Sequence, residues 1–226
     1  MSDRRWRVIG VAKTVRFGAA PLLRATSIVL ALTGATAFSA APDNAPAQAR
    51  VTPQAISFVA TGCFWCTESD FDKVPGVLAT TSGFTGGRTP NPTYEQVSAG
   101  GTGHIEAVQI RYDPARVTYA ALVRHALRTS DPTDGGGQFC DRGSQYRPAI
   151  FVGSAAERKT AEAAKATAAK ALGKGVATAI LPRARFYPAE VYHQNYYRKN
   201  PIRYRYYRLS CGRDARVKEV WAGSAR

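Results

Sequence analysis

The sequence predicts an α+β two-layer sandwich, a mixed but largely antiparallel sheet covered by helices and interrupted by long loops. Three observations point there. Strand and helix patterns both occur but do not alternate strictly, which disfavours a doubly wound parallel sheet. One helix is bounded by unambiguous caps, and a glycine-rich polar stretch at 136–147 is too irregular for either element.

Taken in order, apolar or alternating runs predict strands near 55–61, 77–84, 104–112, 147–152 and 176–181. Helices are predicted near 64–74, 93–98, 117–128 and 154–172. The helix at 64 is read as amphipathic, carrying Phe71, Val74 and Val77. The helix at 154 opens on Ser154 with Glu157 three residues on, runs through an alanine-rich stretch and meets Gly173 at its end. Residues 201–226 read as a loop-rich tail.

Residues 1–49 begin with arginines, continue into Ile28-Val29-Leu30-Ala31-Leu32 and end on Ala47-Gln48-Ala49, the pattern of a secretory signal peptide. The apolar run is short of the ~20 residues a membrane span needs, so export to the periplasm or exterior is expected rather than stable insertion. Arg4-Arg5 lacks the apolar follow-on of a twin-arginine signal. Residues 50–226 then suit a single domain. Removing the leader takes six basic and two acidic residues from a chain of formal charge +15, leaving +11. The basic residues cluster at 198–208 among tyrosines, without any nucleic-acid-binding signature, so a surface segment wrapped on the core is expected.

Chemistry concentrates at Gly62-Cys63-Phe64-Trp65-Cys66, between the first strand and the first helix. A cysteine at a helix start faces unpaired N–H groups and the positive end of the helix dipole, so Cys63 is expected to be partly thiolate. Phe64 and Trp65 would wall an apolar pocket beside it. On the strand at 104–112 alternation puts Glu106 on the same face as Val108, Ile110 and Tyr112. A carboxyl on a core-facing row has a raised pKa and can donate a proton near neutrality, unless the strand end is wet. Tyr94 and Tyr146 could donate to a polarised oxygen or simply fill the core. Asp141 lies in the same polar loop as Tyr146.

Gly62-Cys63-Phe64-Trp65, Pro92 to Glu95, Gly103 to Glu106, Tyr112-Asp113-Pro114, Asp131-Pro132-Thr133, Asp141 to Arg147, and Ala189-Glu190 with Tyr192-His193-Gln194 follow one another in register. Together they resemble the A type of peptide methionine sulfoxide reductase, over roughly residues 55–201. The resemblance implies reduction of methionine S-sulfoxide, free or in oxidised proteins, through a cysteine sulfenic acid and an intramolecular disulfide. It implies no prosthetic cofactor and no metal, with an external thioredoxin-type or other dithiol as reductant. Carried over, Cys63 is the nucleophile, Glu106 the proton donor, Tyr94 and Tyr146 bind the sulfoxide oxygen, and Asp141 shapes the site. Phe64, Trp65, Tyr192 and His193 contact substrate. A monomer is expected.

The resolving thiol is open between Cys211, Cys66 and Cys140. The commonest family pattern has Gly and Asn in place of Cys66 and Cys140. The family often resolves through a mobile C-terminal cysteine, which ranks Cys211 first, then Cys66, then Cys140. A stable Cys140–Cys211 bridge is the alternative for that pair in an oxidising compartment. Two other functions compete. A thioredoxin-like exchanger would use C-x-x-C but leave the other motifs idle, and a zinc module would need spacings unlike the 73 and 70 residues that follow Cys66 and Cys140.

Overall fold

The computed structural model describes residues 53–224; the predicted leader lies outside them. Strands β1 (Ala55–Ala60), β2 (Val77–Thr85), β3 (Ile105–Tyr112), β6 (Ala149–Val152), β7 (Ala179–Pro182) and β8 (Phe186–Pro188) form one sheet in the order β7-β6-β1-β3-β2-β8. Every pairing is antiparallel except β6 with β7, so the expected mixed sheet is found. Strands β4 (Gly137–Gln138) and β5 (Asp141–Arg142) make a separate small hairpin in the glycine-rich loop.

Helices α1 (Phe64–Phe71), α2 (Tyr94–Ser98), α3 (Tyr119–Arg128) and α4 (Ala155–Leu172) stand near their predicted places. Ser154 accepts the Glu157 N–H at 3.1 Å, Glu157 answers by accepting from the Gly153 N–H at 2.7 Å, and Gly173 closes α4 in the left-handed conformation. Alternate residues of β3 feed opposite sides. Val108, Ile110 and Tyr112 join Phe64, Phe71 and Leu122 in one core, and Ile105 and Ala107 join Phe58 and Phe151 in another.

Two expectations need correcting. α1 stops at Phe71, with Val74 in a turn and Val77 already in β2, because Pro75-Gly76 breaks the helix, and Asp72 at its end is held by Thr80 at 2.6 Å and Tyr197 at 2.7 Å. The 201–226 segment is not loop-rich through its described part. After α5 (Tyr196–Lys199) it folds into α6 (Pro201–Ser210), with Pro at its first position, and α7 (Arg213–Val220). Its tyrosines and arginines hide a helical period, since Tyr204, Tyr207 and Arg208 turn inward while Ile202, Tyr206 and Leu209 face out. Among the described residues no helix is long and apolar enough to cross a membrane.

Candidate active site

Cys63 is the residue at which β1 ends and α1 begins. Gly62 makes the corner at φ +89°, and a Cβ there would lie 2.5 Å from Cβ of Gln138. Gln138 cannot withdraw, because it is fully buried and its amide both accepts from the Asp131 N–H at 2.9 Å and donates to the Asp131 carbonyl at 2.8 Å. Gly62→Ala therefore combines left-handed strain with a clash beside the thiol. We expect a stability loss of about 2 kcal/mol or more in urea unfolding, together with loss of activity.

A small cavity of about 60 Å³ opens on Cys63 and is lined by Phe64, Trp65, Tyr94, Glu106, Asp141, Tyr146 and Tyr207. It has room for a methyl sulfoxide head but not for a whole amino acid. Glu106 is buried on the face that strand alternation predicts, and burial pushes its carboxyl up to about 8, with Asp141 and Cys66 adding to the rise. It stays protonated through neutral pH. Its Oε2 accepts the Phe64 N–H at 3.0 Å, so the first helical N–H of α1 is already used.

That bond helps overturn the expectation of a Cys63 thiolate. Burial raises the Cys63 thiol well above its ordinary value, and the thiol of Cys66, Glu106 and Asp141 raise it further. The neighbouring Cys63 thiol, followed by Arg213 and Arg208, lowers Cys66 to about 7. Cys63, on the side of the carboxyls, thus keeps its proton, and Cys66, on the side of the arginines, is the more acidic of the two thiols.

Burial raises the phenols of Tyr94, to about 12, and of Tyr146, with Glu106 next in effect, so both keep their protons as donors at the cavity wall. Asp141 accepts from the Tyr207 hydroxyl at 2.5 Å, a bond that ties the loop hairpin to α6. Trp65 lies parallel on Tyr196 at 3.8 Å between ring centres and donates its indole N–H to Nδ1 of His193 at 3.0 Å. His193 is buried and its pKa is lowered by burial, which keeps it neutral and able to accept. It orients Trp65 rather than lining the small cavity. Tyr192 is half exposed and lines a second, larger groove of about 640 Å³ that shares Trp65, Tyr94 and Tyr207 with the first.

Cys211, ranked first as partner for Cys63, is instead bonded to Cys140, with the two Cα atoms 4.9 Å apart. The anticipated mobile tail is a helix end, and its last turn is held against the loop. Cys63 and Cys66 are free, buried and in contact. Sequence reasoning missed Tyr207, Arg208, Arg213, Glu68 and Asp70. The one available signal for them was the Tyr204–Arg208 spacing of four residues, which puts both on one helical face.

The sequence profile of peptide methionine sulfoxide reductase matches residues 55–225. The chain belongs to that family. Among relatives of this reductase family, peptide methionine sulfoxide reductase MsrA 2 of Caulobacter vibrioides is 50% identical over 195 residues, 86% of this chain and 94% of that protein. MsrA 2 of Rhizobium meliloti is 49% identical over 177 residues, 78% of this chain and 88% of that one. Among solved structures, methionine sulfoxide reductase A of Corynebacterium diphtheriae superposes with a TM-score of 0.60 at 38% identity, covering 66% of this chain and 76% of its own. Reduced Mxr1 of Saccharomyces cerevisiae gives 0.63 at 33% identity, covering 66% and 87%. The chain is a methionine sulfoxide reductase, an α+β thiol-dependent oxidoreductase, and the thioredoxin-like and zinc-module readings fall away.

Proposed function

We propose that this reductase acts on the S epimer of methionine sulfoxide, with Cys63 as nucleophile, Glu106 as acid and Cys66 as resolving thiol. The observation that carries the reading is the shared cavity: a thiol and a protonated carboxyl, with three phenols, face one space of methyl-sulfoxide size. As Cys63 attacks the sulfoxide sulfur, its proton passes to the neighbouring Cys66 in its thiolate form and Glu106 protonates the oxygen. Methionine leaves and Cys63 keeps the oxygen as sulfenic acid. Cys66 then attacks the Cys63 sulfur. The S–S bond forms, the S–O bond breaks, and the hydroxyl departs with the Cys66 proton as water.

Tyr94 and Tyr146 steady the oxygen, Phe64 and Trp65 hold the methyl group, and Asp141 fixes Tyr207 at the rim. The larger groove offers space for main chain on either side of an oxidised residue in a protein, so both free and protein-bound sulfoxide are substrates. A thioredoxin-type dithiol recycles the disulfide, and the enzyme is an exported monomer serving protein repair under oxidative stress. The exposed Cys140 in a bridge with Cys211 suits an oxidising compartment.

Turnover of the two sulfoxide epimers is the deciding experiment, with S-epimer activity expected and equal rates contradicting the reading. Cys66→Ser should release about one methionine per enzyme and then stop, since the nucleophile is intact but its sulfenic acid is stranded. Sustained turnover by that variant would return the resolving role to Cys211.

A further inference from the structure

Cys66 lies where the C-terminal helices press on α1. It is buried against Tyr196 and Tyr204, and the same helix carries the buried Asp70 one turn further on. From α6, Arg208 forms an ion pair with Asp70 at 2.9 Å, donates to the Tyr204 hydroxyl at 3.0 Å and forks onto Asp214 at 2.6 Å. From α7, Arg213 is almost wholly enclosed. It donates to the Thr61 carbonyl at 2.9 Å, the Thr61 hydroxyl at 3.1 Å and the Thr129 carbonyl at 2.8 Å, and lies over the Phe139 ring.

The charges in this cluster do not cancel. Two largely buried guanidiniums face one fully enclosed carboxylate, Asp70, while Asp214 is 70% exposed at its side chain and screened by solvent and Asp141, on the far side of Arg213, is already bonded to Tyr207. Arg213 stands 3.5 Å from Asp70, and neither Nε of Arg213 nor Oδ2 of Asp70 has a hydrogen-bond partner. Burying a cation without a counter-charge is costly. The Cys66 thiol lies in the field of both cations, and the groups that act on it or that it acts on are Cys63 at the cap of its helix, Asp70 on that helix, Tyr204 and Arg208 on α6, Arg213 on α7 and Glu106 on β3.

We propose that Arg208 and Arg213 are positioning residues for the resolving step, stabilising the negative charge that gathers on the Cys66 sulfur as its proton leaves with the hydroxyl, with Asp70 as the opposing charge that keeps this sulfur nucleophilic. The inference rests on Cys66 being the resolving thiol. In that step the Cys66 sulfur supplies the electron pair of the new S–S bond and is oxidised, while the S–O pair leaves with the hydroxyl and the sulfenic sulfur is reduced. A thiol attacks best when its pKa lies near the ambient pH, since a weaker base is a poorer nucleophile. Two cations alone would overstabilise the anion. Asp70 restores the balance.

The test reads charge rather than packing. In a Cys63→Ser background, with the Cys140–Cys211 bridge intact, Cys66 is the one remaining thiol, and its ultraviolet thiolate absorbance is followed against pH. Arg208→Gln should raise the midpoint by about one pH unit and Asp70→Asn should lower it by a similar amount. A shift of that size corresponds to about a tenfold change in the thiolate fraction on the acid side of the midpoint, so in the otherwise native enzyme Arg208→Gln should lengthen the sulfenic acid lifetime, trapped with a cyclic 1,3-diketone, by about tenfold. Arg213→Lys should keep the midpoint and Arg213→Met raise it; if the Arg213 variants do not fold, the Arg208 and Asp70 pair decides. Midpoints that stay put, or that move in the same direction in Arg208→Gln and Asp70→Asn, overturn the proposal in favour of a purely structural role. Either failure leaves S-epimer turnover standing, whereas loss of that turnover in the native enzyme defeats the function itself.

Discussion

Cys63→Ser yields no methionine from either epimer, even in a single turnover. The serine hydroxyl fits the site but is a far poorer nucleophile toward a sulfoxide sulfur and cannot carry the oxygen away as a sulfenic acid. Loss on the order of 10⁶-fold is expected, the scale on which covalent enzymes fail without their nucleophile. Quantifying methionine after acid quench at stoichiometric enzyme checks it. Methionine at one equivalent from the serine variant would move the chemistry to another thiol.

Glu106→Gln lowers the maximal rate by about 10²- to 10⁴-fold with little change in substrate affinity, because the amide can accept the Phe64 N–H but has no proton to surrender. The pH profile gives the sharper reading. With the carboxyl raised to about 8, the active acid form is lost as pH rises through that value, so the native rate falls on the alkaline side and the glutamine variant loses this limb. Stability follows the same sign. A carboxyl whose pKa is raised on folding stabilises the fold fully below its unfolded value near 4.3, and this contribution disappears as pH rises through about 8. Glu106→Gln removes that dependence, so at alkaline pH the inactive variant should melt higher than the native enzyme. Thermal melts at neutral and alkaline pH test it, and a variant that melts lower at both would show that Glu106 is not buried as an acid.

Much of this site could be read from local pattern. Alternation along one strand placed Glu106 inside, and the change from strand to helix period placed Cys63 at the seam. Caps at Ser154 and Gly173 fixed α4 almost to the residue. What stayed hidden was set by partners distant in sequence. Glu68 and Asp70 look like the wet side of an amphipathic helix, yet both are buried because the Asn195 N–H at 2.9 Å and Arg208 come back to meet them. The thiol's protonation was misjudged for the same reason, since the helix dipole is visible locally while enclosure by Glu106, Asp141 and Tyr207 is not. Strand β8 escaped notice because it is three residues long and ends in proline.

The order in which the chain is made gives Arg213 a consequence of its own. The nucleophile emerges early in synthesis, but the guanidinium that braces Thr61 in front of it, and the second cation beside Cys66, come some 150 residues later. A nascent, stalled or clipped polypeptide ending before residue 208 would hold its redox pair without the charges that arm it. Such a fragment would lose the difference in acidity between Cys63 and Cys66, because the burial that raises the first and the cations that lower the second both need the finished fold.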